Sequence, residues 1–194
     1  MYSFSKVLFS VIGATVFSIL PSVAYSREPG VARLSKNSNI GCEKAINSVK
    51  TTLVRRGYFI PWQGRGGSRV GTIKPKLLRD KNSIQDNYYD YPADRTEAVV
   101  FELSGDMDKL YRGLMSSPQF MAILSAQIMS ECDQVGLVEF HHWWEGFVPV
   151  GYFPDNTART FTPVEFSSDS PYQKSIETSN GSRAMYQWGY YFSP

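Results

Sequence analysis

The amino-acid sequence predicts an α+β fold: helices packed on one face of a mostly antiparallel sheet, stapled by one disulfide, with a C-terminal β-hairpin. Three observations carry that expectation. Two stretches repeat apolar residues at helical spacing, and each holds one of the cysteines of the predicted mature chain, Cys42 or Cys132. Short runs of β-branched and aromatic residues, bounded by Gly, Pro, Asn and Asp, lie between and after them. Near the end, Asn180-Gly181 separates residues 172–179 from residues 183–192, and that dipeptide is the strongest short hairpin signal.

The chain starts with an address. Lys6 is the only charge before Arg27, and it precedes an apolar run over residues 7–20 broken only by Ser10, Gly13, Thr15 and Ser18. Pro21 then breaks the helix, and Ala24-Tyr25-Ser26 offers small residues at the two positions a signal peptidase reads. Residues 1–26 are therefore expected to be a secretory signal peptide, cut before Arg27. The competing reading is an uncleaved anchor, against which stands a run shorter than the roughly 20 residues a span needs. No Arg pair and no nearby Cys accompany the run, which points to the general secretory route without lipid attachment. The expected location is outside the cytoplasm: periplasm, thylakoid lumen or extracellular space, with no transmembrane span after cleavage.

The expected domains after the signal are an α+β unit over residues 27–166 and an aromatic hairpin or extension over 167–194. The first helix is expected to be capped by Asn39, to carry Cys42, Ile46, Val49 and Leu53 down one face and to stop at Gly57. Residues 58–62 read as a strand and Gly64-Arg65-Gly66-Gly67-Ser68 as a loop. Residues 96–103 read as a clear strand, and 108–115 as a short helix. A second long helix follows, with Ser117 as N-cap and Pro118 in its first turn, carrying Phe120, Leu124, Ile128 and Cys132 at i+4 spacing. Residues 135–145, 148–153 and 161–166 are three more strand candidates.

Each cysteine thus falls on the buried stripe of its own helix, and an exported chain with an even count is read first as disulfide-bonded. A Cys42–Cys132 bridge closes a loop of about 90 residues, which stabilises by roughly 4–5 kcal/mol in the chain-entropy model. Two buried free thiols are the alternative. The cysteines are not in a C-x-x-C arrangement, which disfavours redox activity.

Gly41-Cys42-Glu43-Lys44-Ala45-Ile46, Tyr91-Pro92, Met115-Ser116-Ser117-Pro118-Gln119-Phe120-Met121, Gln127-Ile128-Met129, Cys132 and Val135-Gly136-Leu137-Val138-Glu139-Phe140 together carry a resemblance. In these residues the chain is similar to a group of small exported cyanobacterial proteins of unassigned function. The likeness covers the stretch from Cys42 to about Glu165. The resemblance implies export and a paired Cys, and it supplies no catalytic residues. The basic loop after Trp62, the His-Trp pairs and the tail after Phe166 depart from it.

The search for chemistry is mostly negative. The loop at 64–72 lacks the Lys of a phosphate-binding loop, and no G-x-G-x-x-G opens a helix after a strand, so no cofactor is expected. Gly66-Gly67-Ser68-Arg69-Val70 misses the nucleophile elbow at its last position. His141 and His142 are the only histidines, and as strand neighbours they point to opposite faces. Alternation puts Val138, Phe140, His142 and Trp144 on a core face and Glu139, His141, Trp143 and Glu145 on a wet one. The latter set offers an acid, a base and a metal ligand side by side, or simply a solvated face with a cross-strand charge pair. Trp143, with Trp62, Trp188, Tyr190 and Tyr191, suggests an aromatic platform; burial of Trp143 under the C-terminal hairpin is the alternative.

The formal net charge is +2, falling to about +1 with loss of Lys6, a balance that argues against nucleic acid. Charge is nonetheless segregated. Arg55, Arg56, Arg65, Arg69, Lys74, Lys76, Arg79 and Lys81 accompany one acid, Asp80, in their segment, whereas residues 86–108 hold seven acids and one base, Arg95. The basic stretch suits an anionic surface, an acidic glycan or an exported protein, unless the acidic segment neutralises it. The expected function is therefore a non-catalytic exported binding or scaffolding domain, with Arg65, Arg69, Lys74, Glu139, His141, Trp143 and Glu145 as candidate binding surface. The alternative is a small exported hydrolase or metal-dependent enzyme using Glu139, His141 and Glu145.

Overall fold

The computed structural model describes residues 29–35, 41–56, 73–78, 84, 87–104, 108, 110–142, 146–165, 170–178 and 181–192. The signal peptide expected over residues 1–26, the strand expected at 58–62 and the Gly-rich loop expected after it lie outside the described residues.

A six-stranded mixed sheet forms the centre. Its strands are β1 (Val31–Arg33), β2 (Ile73–Leu78), β4 (Glu97–Leu103), β5 (Val135–His142), β6 (Gly146–Phe153) and β7 (Thr157–Thr160), in the order β1-β7-β6-β5-β4-β2. Every neighbouring pair is antiparallel except β4 and β5. That parallel pair needs a crossover. A π-helical segment, Leu110–Met115, and the helix α2 (Pro118–Glu131) supply it. With α1 (Cys42–Arg55) they are the described helices, and the α+β class follows from this arrangement.

Helix α1 buries Ala45, Ile46, Val49 and Leu53, the stripe its spacing predicts. Its N-cap is Gly41, at φ 79°, rather than Asn39, which is outside the described residues. Helix α2 does begin with Pro118 after Ser117 at the N-cap position, but the Ser117 hydroxyl makes no capping hydrogen bond and donates backwards to the Gly113 carbonyl at 2.7 Å. Nor is α2 a one-stripe helix. Met121, Ala122, Leu124, Ser125, Ala126, Ile128, Met129 and Ser130 are all buried, because α1, β1 and the sheet surround it. Cys132 sits one residue past its end, and the disulfide to Cys42 forms there, with S–S 2.07 Å and Cα–Cα 4.7 Å.

Arg95 secures the same helix end. Its Nη1 donates to the carbonyls of Met129 at 2.9 Å and Val135 at 3.1 Å, while its guanidinium stacks 3.9 Å from the Tyr152 ring centroid. A cation at the carbonyl end of a helix is favoured by the aligned peptide dipoles. The main core, between helices and sheet, joins this region to Phe101 and Phe140, whose rings stack at 5.6 Å.

The C-terminal chain covers the opposite face. The hairpin expected around Asn180-Gly181 is β9 (Gln173–Thr178) against β10 (Gly181–Gln187), with Gly181 already paired to Thr178. Strand β10 also takes β3 (Tyr88–Tyr89) alongside it in parallel. After a turn at Trp188-Gly189, β11 (Tyr190–Phe192) pairs with β8 (Thr162–Val164). The strand expected over 161–166 is thus β8 alone, separated by Phe161 from β7. A second core results, built of Ile84, Tyr88, Ala98, Leu137, Phe161 and Trp188.

Candidate functional site

The site starts with a break in alternation. Glu97 pairs with Val135 but Ala98 pairs with Leu137, so Gly136 is an extra residue, a β-bulge, in β5. A Cβ there would collide with the Arg95 backbone and lie 3.0 Å from the Arg95 Cβ, so the close approach of the two chains requires glycine. The bulge shifts parity: Val135 belongs to the helix-side core, whereas Leu137 belongs to the aromatic core. From Leu137 onward, Glu139 and His141 follow on the aromatic side.

Cross-strand register then sets three rows on that face. Leu78, Ala98, Leu137 and Gly151 form the first row, packed under Phe161 and Trp188. Gly151 makes room for those rings; a Cβ on it would come within 2.7 Å of Trp188 and closer still to Phe161. Trp188 is fixed further by donating its indole N–H to the Tyr152 carbonyl at 2.9 Å. Lys76, Val100, Glu139 and Pro149 form the second row, and Lys74, Glu102, His141 and Phe147 the third. Pro149 is tolerated inside β6 because ladder pairing with β7 stops at Val150–Thr160; beyond it the Pro149 carbonyl accepts the Phe161 N–H at 3.0 Å.

The aromatic layer overhangs the second and third rows without closing on them. The result is a cavity of about 300 Å³ lined by Asn87, Tyr88, Glu139, His141, Phe147, Tyr186 and Tyr191. Leu137 is fully packed, Glu139 lies half-buried in the cleft, and His141 is exposed at its mouth. Phe147 links the imidazole to the roof, with ring centroids 6.2 Å from His141 and 5.7 Å from Tyr191. The expectation that Glu139 shares a wet face with His141 therefore needs correction. β3, β10 and β11 cover that end of the face, and water reaches His141 more readily than Glu139.

Electrostatics follow from this placement. Burial pushes the Glu139 carboxyl from its ordinary value of 4.5 up to about 7, and no hydrogen bond or cation among the described residues offsets the loss of water. Burial also raises the Tyr88 hydroxyl well above its ordinary value, with the Glu139 charge adding to the effect. An acid that titrates near neutrality, beside a histidine and several tyrosines, can hold or release a proton, donate to a neutral ligand or pair with a cation.

Of the residues anticipated as a binding surface, Glu139 and His141 come together here. Lys74 enters only through its backbone, paired to Glu102. Arg65, Arg69, Trp143 and Glu145 lie outside the described residues, as does Trp62. Trp188 is roof core rather than platform, and Tyr190 stacks on Tyr172 at 3.9 Å. Asn87, Tyr88, Phe147 and Tyr186 were not anticipated; the doubled Tyr88-Tyr89 next to Asn87 is their only local signal. Among the described residues no group of three or more His, Cys, Asp or Glu is placed to hold a metal ion, and no helix is long and apolar enough to cross a membrane. No family model, curated protein or solved structure matches the chain.

Proposed function

We propose that the protein is an exported, non-catalytic binding domain whose ligand seat is the Glu139 cleft. The observation that carries the reading is the cleft itself: a concave, aromatic-walled space with a few convergent polar groups and one strongly perturbed carboxyl. Export is supported by the apolar leader at residues 7–20 and by the Cys42–Cys132 bridge, since disulfides persist in oxidising compartments. The resemblance to exported cyanobacterial proteins points the same way. At about 300 Å³ the cavity suits one small group, such as a ligand head or a single side chain.

An NMR screen with a chemically varied fragment set tests this reading. Saturable amide shifts concentrated at Asn87, Tyr88, Glu139, His141, Tyr186 and Tyr191 are expected. Hits scattered over the surface, or none, would contradict it. A second reading, proton-transfer catalysis, is favoured by the near-neutral Glu139 beside His141, which suits a general acid or base. Its mark would be turnover of a bound fragment that is lost in Glu139→Gln.

A further inference from the structure

We propose that the cleft is a cation site, taking an organic ammonium group between Tyr88, Tyr186, Tyr191 and Phe147 with Glu139 as its counter-ion. This rests on the binding reading above and names its ligand class. Three features of the geometry converge on it. The first is composition: among the described residues the lining holds four aromatic rings, one carboxyl, one amide and one imidazole, and neither Lys nor Arg. Ring faces attract a cation within about 6 Å of their centroids, and the attraction grows when water is excluded.

The second is an unanswered charge. Glu139 accepts no hydrogen bond and meets no cation among the described residues, although its position in β5 is fixed on both sides, by Val100 and by Pro149. A carboxylate held in a half-dry cleft without a partner repels anions and gains most from a bound cation. The third is what surrounds it. Tyr88 faces it from β3, Tyr186 from β10 and Tyr191 from β11, and all three are neutral at physiological pH because burial raises each hydroxyl further. His141 stands at the mouth on the same strand, beside Glu102. Lys76 occupies the same cross-strand row two strands away, and it makes no ion pair with Glu139. Among the described residues, His141 is the basic side chain that lines the cleft.

An ammonium ligand and a proton then compete for Glu139, so binding expels a proton wherever the carboxyl is protonated in the free protein. Choline tests the proposal against 3,3-dimethyl-1-butanol, its neutral isostere, and methyl glucoside, a neutral polar ring, by calorimetry and amide shifts on the full chain. Choline is expected to bind at pH 8 at least tenfold more tightly than the isostere, with shifts at Tyr88, Glu139 and Tyr186. At pH 6.5 its binding should weaken, and the heat should vary with the buffer's ionisation enthalpy. Glu139→Gln should lower choline affinity at least tenfold. Tyr186→Leu, which keeps bulk and removes the ring face, should lower it several-fold. Equal binding of the isostere, or choline affinity unchanged in both variants, would overturn the proposal. Methyl glucoside in the cleft without choline would also overturn it while leaving a binding cleft in place; silence from all three probes overturns it, and the fragment screen then decides the binding reading separately.

Discussion

At Glu139 burial opposes ionisation, and stability must then depend on pH. The folded-state value is raised, from 4.5 to about 7, so the folded protein holds this proton more tightly than the unfolded chain does. Its contribution is fully present below about pH 4.5, declines as pH rises and is lost once pH passes about 7. The span corresponds to up to about 3 kcal/mol. Urea titrations of the wild type should show this decline, and Glu139→Gln should flatten it and gain stability at pH 8. Gly151 gives a second residue-level expectation. Gly151→Ala puts a methyl group into the Phe161 and Trp188 rings, and overpacking of this kind costs about 1–3 kcal/mol. Loss of near-ultraviolet aromatic dichroism with retained far-ultraviolet signal would report that the roof had lifted from the sheet.

At the scale of elements, Arg95 ties the turn before β4 to the end of α2 and the start of β5. Arg95→Met keeps the stem but removes the donor to the carbonyls of Met129 and Val135, which should cost roughly 2–3 kcal/mol in denaturant unfolding. Legibility differed between elements for physical reasons. The α1 stripe was readable because one face is buried, and periodicity records that. Helix α2 was located correctly, yet its burial on nearly every side could not be read from spacing, since it depends on β1 and α1 arriving from elsewhere in the chain. Strand β2 was missed because Ile73-Lys-Pro-Lys is edge-strand chemistry, in which Pro75 and the lysines discourage further pairing. Strand β7, Thr-Ala-Arg-Thr, lacks an apolar run. Glu139 and His141 were picked out by alternation along β5, but the tyrosines that roof them come from β3, β10 and β11, and only tertiary pairing brings them there.

The described residues form two cores on one sheet, with the disulfide on the helix side and the cleft on the other. The bridge closes a separation of 90 residues, so replacing both Cys42 and Cys132 by Ser should destabilise by about 2–5 kcal/mol. For a chain of this size that lowers Tm by roughly 10 °C. The sheet stands between bridge and cleft, so a double variant that still folds should keep its ligand shifts. The function of the cleft depends on Glu139 being held half-buried beneath the aromatic layer. Site-resolved carboxyl NMR across a pH titration measures that directly. A Glu139 midpoint near 7 that falls on adding choline is expected. A midpoint near the ordinary 4.5, unmoved by any ligand, would contradict it.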